Sequence, residues 1–386
     1  MKTTALTHCH SILDLRNRAR CALPSAIFDF IDGAAETEIT ARRNIAAFDD
    51  LKLIPRSLVD VGKINTTTRI LGQEIEWPVF CAPTGCTRLV HPNGELAVAR
   101  AAAKAGTLYS LSTMSTCSIE RVAGASGGPK MFQLYVLKDR DLSRELIERA
   151  RRSGYRALCV TVDAPVGGKC ERDYRSGLFG PAHKWPLGTV IGFARHPFWG
   201  LNRLGKAGLF AANFEDSNGD PMPLKQLGEQ LGQVLDPSVT WKDIREIADL
   251  WGGPFAIKGI MSPDDARRAA DAGATAIIVS NHGGLQLDGV AAAIEALPRI
   301  VSAVGDRLEV ILDSGIRRGV HVLKALASGA KACSIGRPYL YGLSAGGEAG
   351  VAKALGLLRA ELILAMQLSG CTDLESIDPT LIGQLR

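Results

Sequence analysis

Residues 276–284 read Ala276-Ile277-Ile278-Val279-Ser280-Asn281-His282-Gly283-Gly284, a short continuous apolar run that opens directly into a polar, glycine-rich exit. Seven other runs of the same build recur along the chain, at Pro78–Pro83, Leu108–Ser112, Met131–Tyr135, Ala157–Asp163, Phe255–Lys258, Val310–Asp313 and Ala332–Gly336. Nearly all are continuous rather than alternating, as expected of parallel strands covered on both faces. Helix-like segments lie between most of them, including Gly94–Ala105, Arg144–Ser153, Lys242–Trp251, Ser262–Ala272 and Arg318–Gly329. Such alternation implies βαβ units and a parallel sheet. Eight strands predict an α/β fold of the closed (β/α)8 barrel type, a TIM barrel, with an open doubly wound sheet as the alternative.

Two regions break the rhythm. Residues 1–75 precede the first strand and contain a helical run, Ala26–Phe48, followed by Asp49–Ile70 with little periodicity. They are expected to cap the bottom of the barrel and to form one side of its mouth. The second region, about residues 166–240, lies between strands four and five and is rich in Gly, Pro, Trp and Phe, with basic residues interleaved. Excursions of that length are lids, binding surfaces or disordered segments. The aromatic and basic mixture around His196-Pro197-Phe198-Trp199 also suits a membrane surface. Neither region reads as an independent unit, so residues 1–386 are expected to form one domain.

The composition is that of an ordinary globular chain: 386 residues, 46% hydrophobic and 22% charged. Such a chain buries a large core without help from disulfides or metals. The net charge of +5 is small for this length and aromatic residues make up only 6%, which argues against a nucleic-acid partner. Nine cysteines without a C-x-x-C pair indicate free thiols, several buried in apolar runs, and no zinc site. No stretch is apolar for long enough to span a bilayer, and the N-terminus lacks a secretory pattern, so a cytoplasmic location is expected.

In barrels of this type chemistry sits at the C-terminal ends of the strands. Those ends here carry Pro83 and Thr84, Ser112, Gln133 and Tyr135, Thr161 and Asp163, Lys258, His282, Asp313 with Arg317, and Gly336 with Arg337. A purely structural barrel has little use for Lys, His, Asp, Tyr and two Arg converging on one rim. The exits of strands seven and eight each combine a glycine and an arginine, Gly315 with Arg317 and Gly336 with Arg337. That position recurrently binds phosphate, because glycine lets backbone N–H groups approach and arginine adds a charge-assisted bidentate partner. Lys258 inside the mouth needs a counter-charge; a Schiff-base role is the alternative. His282, on a glycine-rich exit facing Asp163, reads as a base held by a carboxylate.

With these residues the chain resembles the FMN-dependent α-hydroxy-acid dehydrogenase and oxidase family, which includes glycolate oxidase, lactate dehydrogenases and mandelate dehydrogenase. The resemblance runs from Leu23-Pro24 and Ile31-Asp32-Gly33-Ala34-Ala35-Glu36 through Phe132-Gln133-Leu134-Tyr135 and Trp241-Lys242-Asp243 to Ser369-Gly370-Cys371. Its most specific motif is Ser280-Asn281-His282-Gly283-Gly284 with Gln286-Leu287-Asp288. It implies FMN as cofactor, His282 as catalytic base, Asp163 as its carboxylate partner and Tyr135 as donor to the reacting oxygen. Thr84, Ser112, Gln133, Thr161 and Lys258 would contact the flavin ring and ribityl chain, with Pro83 beside them. Lys258 would also stabilise an anionic reduced ring. Asp313, Gly315, Arg317, Gly336 and Arg337 would hold the ribityl and phosphate end. No metal is implied, and a homo-oligomer is expected.

Three positions depart from the family pattern. Leu285 and Cys170 stand where arginines are usual, and Phe30 where a tyrosine is usual. All three groups ordinarily serve the substrate's carboxylate, and charge-assisted bonds contribute roughly 1.5–3 kcal/mol each. The expectation is therefore an FMN oxidoreductase acting on an alcohol or amine carbon of a small molecule that lacks the usual α-carboxylate. The alternative is a conventional lactate-type dehydrogenase or oxidase whose carboxylate is anchored by substitutes such as Lys169, Arg172 or Arg88. A non-catalytic FMN-binding protein and a flavin-barrel isomerase are readings from other classes. Hydride and carbanion routes both remain open. The electron acceptor (oxygen, a quinone or a carrier protein) also stays open, and the excursion leaves peripheral membrane contact as a further partner.

Overall fold

The computed structural model describes residues 4–197, 199–200, 210–215, 221–223 and 234–383. Phe198 and the stretches 201–209, 216–220 and 224–233 of the expected excursion lie outside the described residues. Eight parallel strands close into a barrel: β1 (Val79–Cys81), β2 (Tyr109–Ser112), β3 (Lys130–Leu134), β4 (Ala157–Thr161), β5 (Phe255–Ile260), β6 (Ala276–Val279), β7 (Glu309–Asp313) and β8 (Ala332–Ile335). Closure runs through β4–β5, where Leu158 pairs with Phe255, and through β8–β1, where Cys333 pairs with Val79. Each strand is followed by a helix that covers the outside, from Gly94–Lys104 after β1 to Arg337–Ser369 after β8. The expected barrel is thus the observed one, with strand limits that agree to within a few residues.

Buried on both faces, the strands read as unbroken apolar runs, yet their side chains still alternate between two environments. Met131, Ala157, Cys159, Ala256, Ala276, Ile278, Ile311 and Ala332 pack together as one cluster inside the barrel, joined by Ile70, Leu71 and Ile75. The last three belong to a hairpin (Thr68–Ile70 with Gln73–Ile75) that plugs the barrel's bottom. Their strand neighbours, such as Phe132, Leu158, Ile257, Ile277, Leu312 and Cys333, pack outward against the helices. Two residues beyond the inner apolar layer, the same period places Gln133, Thr161, Lys258, Ser280, Asp313 and Ser334. All six are buried. The lumen is therefore apolar below and polar at its top.

Ala26–Phe48 is not one helix. It divides into Ser25–Asp32 and Ile39–Asp50, separated by a turn in which Glu36 and Glu38 adopt positive φ. The interruption has a tertiary cause, because the turn's backbone is committed elsewhere. Gly33 O accepts from Arg337 (2.6 Å), Ala35 N donates to Gly284 O (2.9 Å) and Glu36 N donates to Lys169 O (2.8 Å). Asp288 accepts from Thr37 Oγ1 and from the N–H groups of Ile39 and Thr40, which caps the second helix and fastens it to the His282 exit. Asn44 and Asn281 exchange two amide bonds of 2.8 Å across the same seam. The region before β1 thus plugs the bottom of the barrel and forms one side of its mouth.

At Gly315 the backbone has φ +85°, and a Cβ there would lie 2.0 Å from Asn44 O. Gly315→Ala is therefore expected to lower Tm sharply, since the backbone strain alone costs about 1–3 kcal/mol and the clash with a fixed carbonyl adds to it. Thermal unfolding that matched the wild type would show that the Asn44 seam is looser than drawn.

Candidate functional site

A cavity opens at the C-terminal rim of the barrel. Its lining includes Phe30, Pro83, Thr84, Tyr135, Cys170, Lys258, His282, Leu285, Asp313, Gly315, Arg317, Gly336 and Arg337. Most residues singled out in the sequence thus converge on one space. Asp163 lies behind His282, while Ser112, Gln133 and Thr161 form a buried chain beside the cavity. Ser112 Oγ donates to Gln133 Oε1 (3.1 Å) and Gln133 Nε2 donates to Thr161 Oγ1 (2.9 Å).

His282 follows β6 in a left-handed conformation (φ 58°), uncommon for a residue with a β-carbon. The turn is held by its surroundings. His282 N donates to Ser280 Oγ (3.0 Å), Gly283 N donates to Ser314 Oγ (3.0 Å), and Arg337 donates to Gly283 O (2.9 Å). A Cβ at Gly283 would sit 2.5 Å from the Arg337 guanidinium, so glycine is what admits that contact. The ring's Nδ1 is 2.9 Å from Asp163 Oδ1 and its Nε2 is 3.2 Å from the Tyr135 hydroxyl. With Nδ1–H donating to the carboxylate, Nε2 is left as an acceptor turned toward Tyr135. Burial works to raise the Asp163 carboxyl, but His282 and Lys258 outweigh it and hold Asp163 below the usual carboxylate range. Asp163 therefore stays ionised. Burial pushes the Tyr135 phenol up, so it remains a donor.

Lys258 is buried with its counter-charge in place. Its Nζ lies 3.5 Å from Asp313 Oδ2 and donates to Ser280 Oγ (3.1 Å). Asp313 also accepts from Ser280 (2.6 Å) and Ser334 (2.5 Å). Burial opposes both charges, but each partner wins: Asp313 is held low and Lys258 is raised. An ammonium so paired stays protonated, which removes the Schiff-base alternative. Ser314 and Ser334 have no role in the sequence reading, and Ser280 enters it only as the first residue of the Ser280–Gly284 motif.

Arg317 and Arg337 also line the cavity, and neither has an ion-pair partner among the described residues. Arg317 donates to Ile316 O (2.8 Å), Arg337 donates only to the carbonyls of Gly283 and Gly33, and Arg337 Nε is buried without a partner. Burial holds Arg317 below its ordinary value and the neighbouring Arg337 charge adds to that. Two half-buried guanidiniums that repel one another call for an anion between them. Beside Gly315 and Gly336 at the last two strand exits, the phosphate of FMN fits this donor set.

The substitutes considered for a carboxylate anchor do not reach the cavity. Arg172 is committed to Asp29 (3.4 Å), Asp32 (3.2 Å) and Glu38. Lys169 is exposed and lies 3.7 Å from Glu171, and Arg88 is not among the lining residues. Sequence distance from Cys170 could not show that Arg172 turns toward the Ser25–Asp32 helix. Asp173, which does line the cavity, escaped notice altogether; its spacing of three residues from Cys170 was the available signal.

Residues 19–384 match the family described as FMN-dependent dehydrogenase. An L-lactate oxidase from Nostoc sp. is 45% identical over 98% of this chain and 99% of its own length. An L-lactate dehydrogenase from Caulobacter sp. is 42% identical over 97% of this chain and 98% of its own. Among solved structures, an (S)-mandelate dehydrogenase described as a monotopic membrane protein superposes with a TM-score of 0.92 at 35% identity, over 97% of this chain and 99% of that one. The barrel, the phosphate-ready arginines and likeness along nearly the whole chain agree: this protein belongs to the FMN-dependent dehydrogenase family, as an oxidoreductase of the α-hydroxy-acid dehydrogenase and oxidase type.

Proposed function

We propose that the chain oxidises the alcohol of an L-2-hydroxy acid of the lactate type to the corresponding 2-oxo acid. The observation that carries this is His282, fixed between the Asp163 carboxylate and the Tyr135 hydroxyl at the wall of a cavity that also presents the phosphate-binding arginines. Relatives named for L-lactate and for mandelate support a hydroxy acid as substrate class. The expectation of a substrate without the α-carboxylate finds no support among them and gives way to the alternative.

Bound FMN supplies the two-electron acceptor. The chain's residues do the rest. His282 Nε2 takes the proton, Asp163 holds the ring in the competent tautomer and stabilises the imidazolium formed, and Tyr135 donates to the substrate oxygen. Lys258 would present positive charge to the bound ring. Ser112, Gln133, Thr161 and Thr84 would orient the ring and ribityl chain, while Asp313, Gly315, Arg317, Gly336 and Arg337 would hold the ribityl and phosphate end.

Asp163→Asn is expected to lower kcat by about 10²–10⁴-fold, because the amide no longer fixes the tautomer. FMN affinity should stay as it is. Turnover with L-lactate, glycolate and L-mandelate, measured with an artificial acceptor against the corresponding amides and neutral alcohols, tests the substrate class. Turnover confined to the neutral compounds would overturn it.

We further propose peripheral contact with a membrane surface through the excursion. Leu187, Val190 and Ile191 on the helix Leu187–Ala194 are exposed, with Lys184 and Arg195 flanking them. Among the described residues no helix is long and apolar enough to cross a membrane. Co-flotation with anionic vesicles at low salt is the expected result, and recovery entirely in the lipid-free fraction would contradict it.

A further inference from the structure

A hydroxy acid brings a carboxylate into a cavity whose far wall, Phe30, Cys170 and Leu285, is uncharged. The cations within reach are already engaged. Lys258 is paired with Asp313 and Arg172 with three carboxylates, while Arg317 and Arg337 are held by backbone carbonyls and are the residues that would take the FMN phosphate. One polar group on this wall is not engaged. Asp173, in the helix Glu171–Ser176, lines the cavity beside Cys170, and its Oδ1 is buried with no hydrogen-bond partner among the described residues. A half-buried carboxylate with one oxygen enclosed and unpartnered is costly to keep ionised unless it takes a proton or finds a donor.

Resting on the 2-hydroxy-acid reading, we propose that Asp173 in its protonated form anchors the substrate carboxylate, donating an O–H···O⁻ bond where an arginine is missing. Such charge-assisted bonds are short and strong, and two carboxyl groups sharing one proton are a stable arrangement. The surroundings favour the protonated form. Burial is the largest cause pushing the Asp173 carboxyl up to about 7, the neighbouring Asp29 carboxylate adds to it, and Arg172 opposes. Arg172 opposes only weakly because Asp29 and Asp32 on the Ser25–Asp32 helix, together with Glu38, share its charge. Glu171 and Arg175 on Asp173's own helix pair with one another. From the barrel exits the ionisable groups lining this cavity are His282, held by Asp163, Lys258 and Asp313, paired with one another, and Arg317 and Arg337, held by backbone carbonyls.

The consequence is proton uptake on binding. A ligand carboxylate raises the Asp173 pKa further, so affinity is high below neutral pH and is lost as the pH rises through and above the free-site value. The test uses FMN-loaded protein, with pyruvate, the oxidised form of lactate, followed by flavin difference spectra from about pH 6 to about pH 9. Above about pH 7 the wild-type Kd should rise roughly tenfold per pH unit more steeply than that of Asp173→Asn, whose amide donates but cannot ionise. Any contribution from His282 is common to both proteins and cancels in the comparison. If Asp173→Asn does not fold, Asp29→Asn serves: removing that neighbouring charge should shift the break to lower pH and weaken binding at about pH 8. Parallel pH dependences, or an unmoved break in Asp29→Asn, would overturn the Asp173 assignment alone. Absence of any response to pyruvate and L-lactate across the range, in a flavin that dithionite still reduces, would overturn both this assignment and the 2-hydroxy-acid reading.

Discussion

His282→Asn should slow substrate-driven bleaching of the flavin by roughly 10²–10⁴-fold, the range for removing a positioned general base, while FMN stays bound. Asparagine is the suitable replacement because it tolerates the left-handed backbone that His282 adopts (φ 58°) better than most side chains. The bonds that hold the turn run through backbone groups, His282 N to Ser280 and Gly283 N to Ser314, and survive the change. Anaerobic stopped-flow absorbance with L-lactate, together with FMN content from the spectrum, separates the two effects. A loss below tenfold, or one matched by loss of FMN, would mean that His282 is structural.

Arg317→Met should weaken FMN binding by about 10–150-fold, which corresponds to roughly 1.5–3 kcal/mol for one charge-assisted contact. The FMN-free protein should be no less stable than the wild type, because the substitution removes one of two half-buried guanidiniums that repel one another. Arg337→Met should cost more. Its guanidinium also joins Gly33 O to Gly283 O, so the N-terminal turn and the His282 exit loosen together. Fluorescence titration of FMN gives the affinities and thermal unfolding of the FMN-free proteins gives the stabilities. An Arg317 variant that binds FMN normally would place the phosphate elsewhere.

The barrel was legible because strands covered on both faces are continuous apolar runs, and eight of them survive in the sequence with clean polar exits. That same double burial hid the alternation inside each strand, so Ser280, Asp313 and Ser334 were not recognised as one polar layer above the apolar lumen. Helical periodicity carried Ala26–Phe48 through as one run, because nothing local reports that the backbone between the two helices is used by Arg337, Gly284 and Lys169. The departures at Phe30, Cys170 and Leu285 were visible, but their consequence was not. Whether Arg172 faces the cavity or the Ser25–Asp32 helix depends on how two elements pack, as does the isolation of Asp173. The site's chemistry was readable where it lies at strand ends and unreadable where it depends on side-chain direction.

The most direct test of the account is an anaerobic absorbance titration of the FMN-loaded protein with L-lactate. Bleaching of the flavin band, with pyruvate formed in equal amount, is the predicted result. A flavin band unchanged by L-lactate, glycolate and L-mandelate, yet bleached by dithionite, would contradict it.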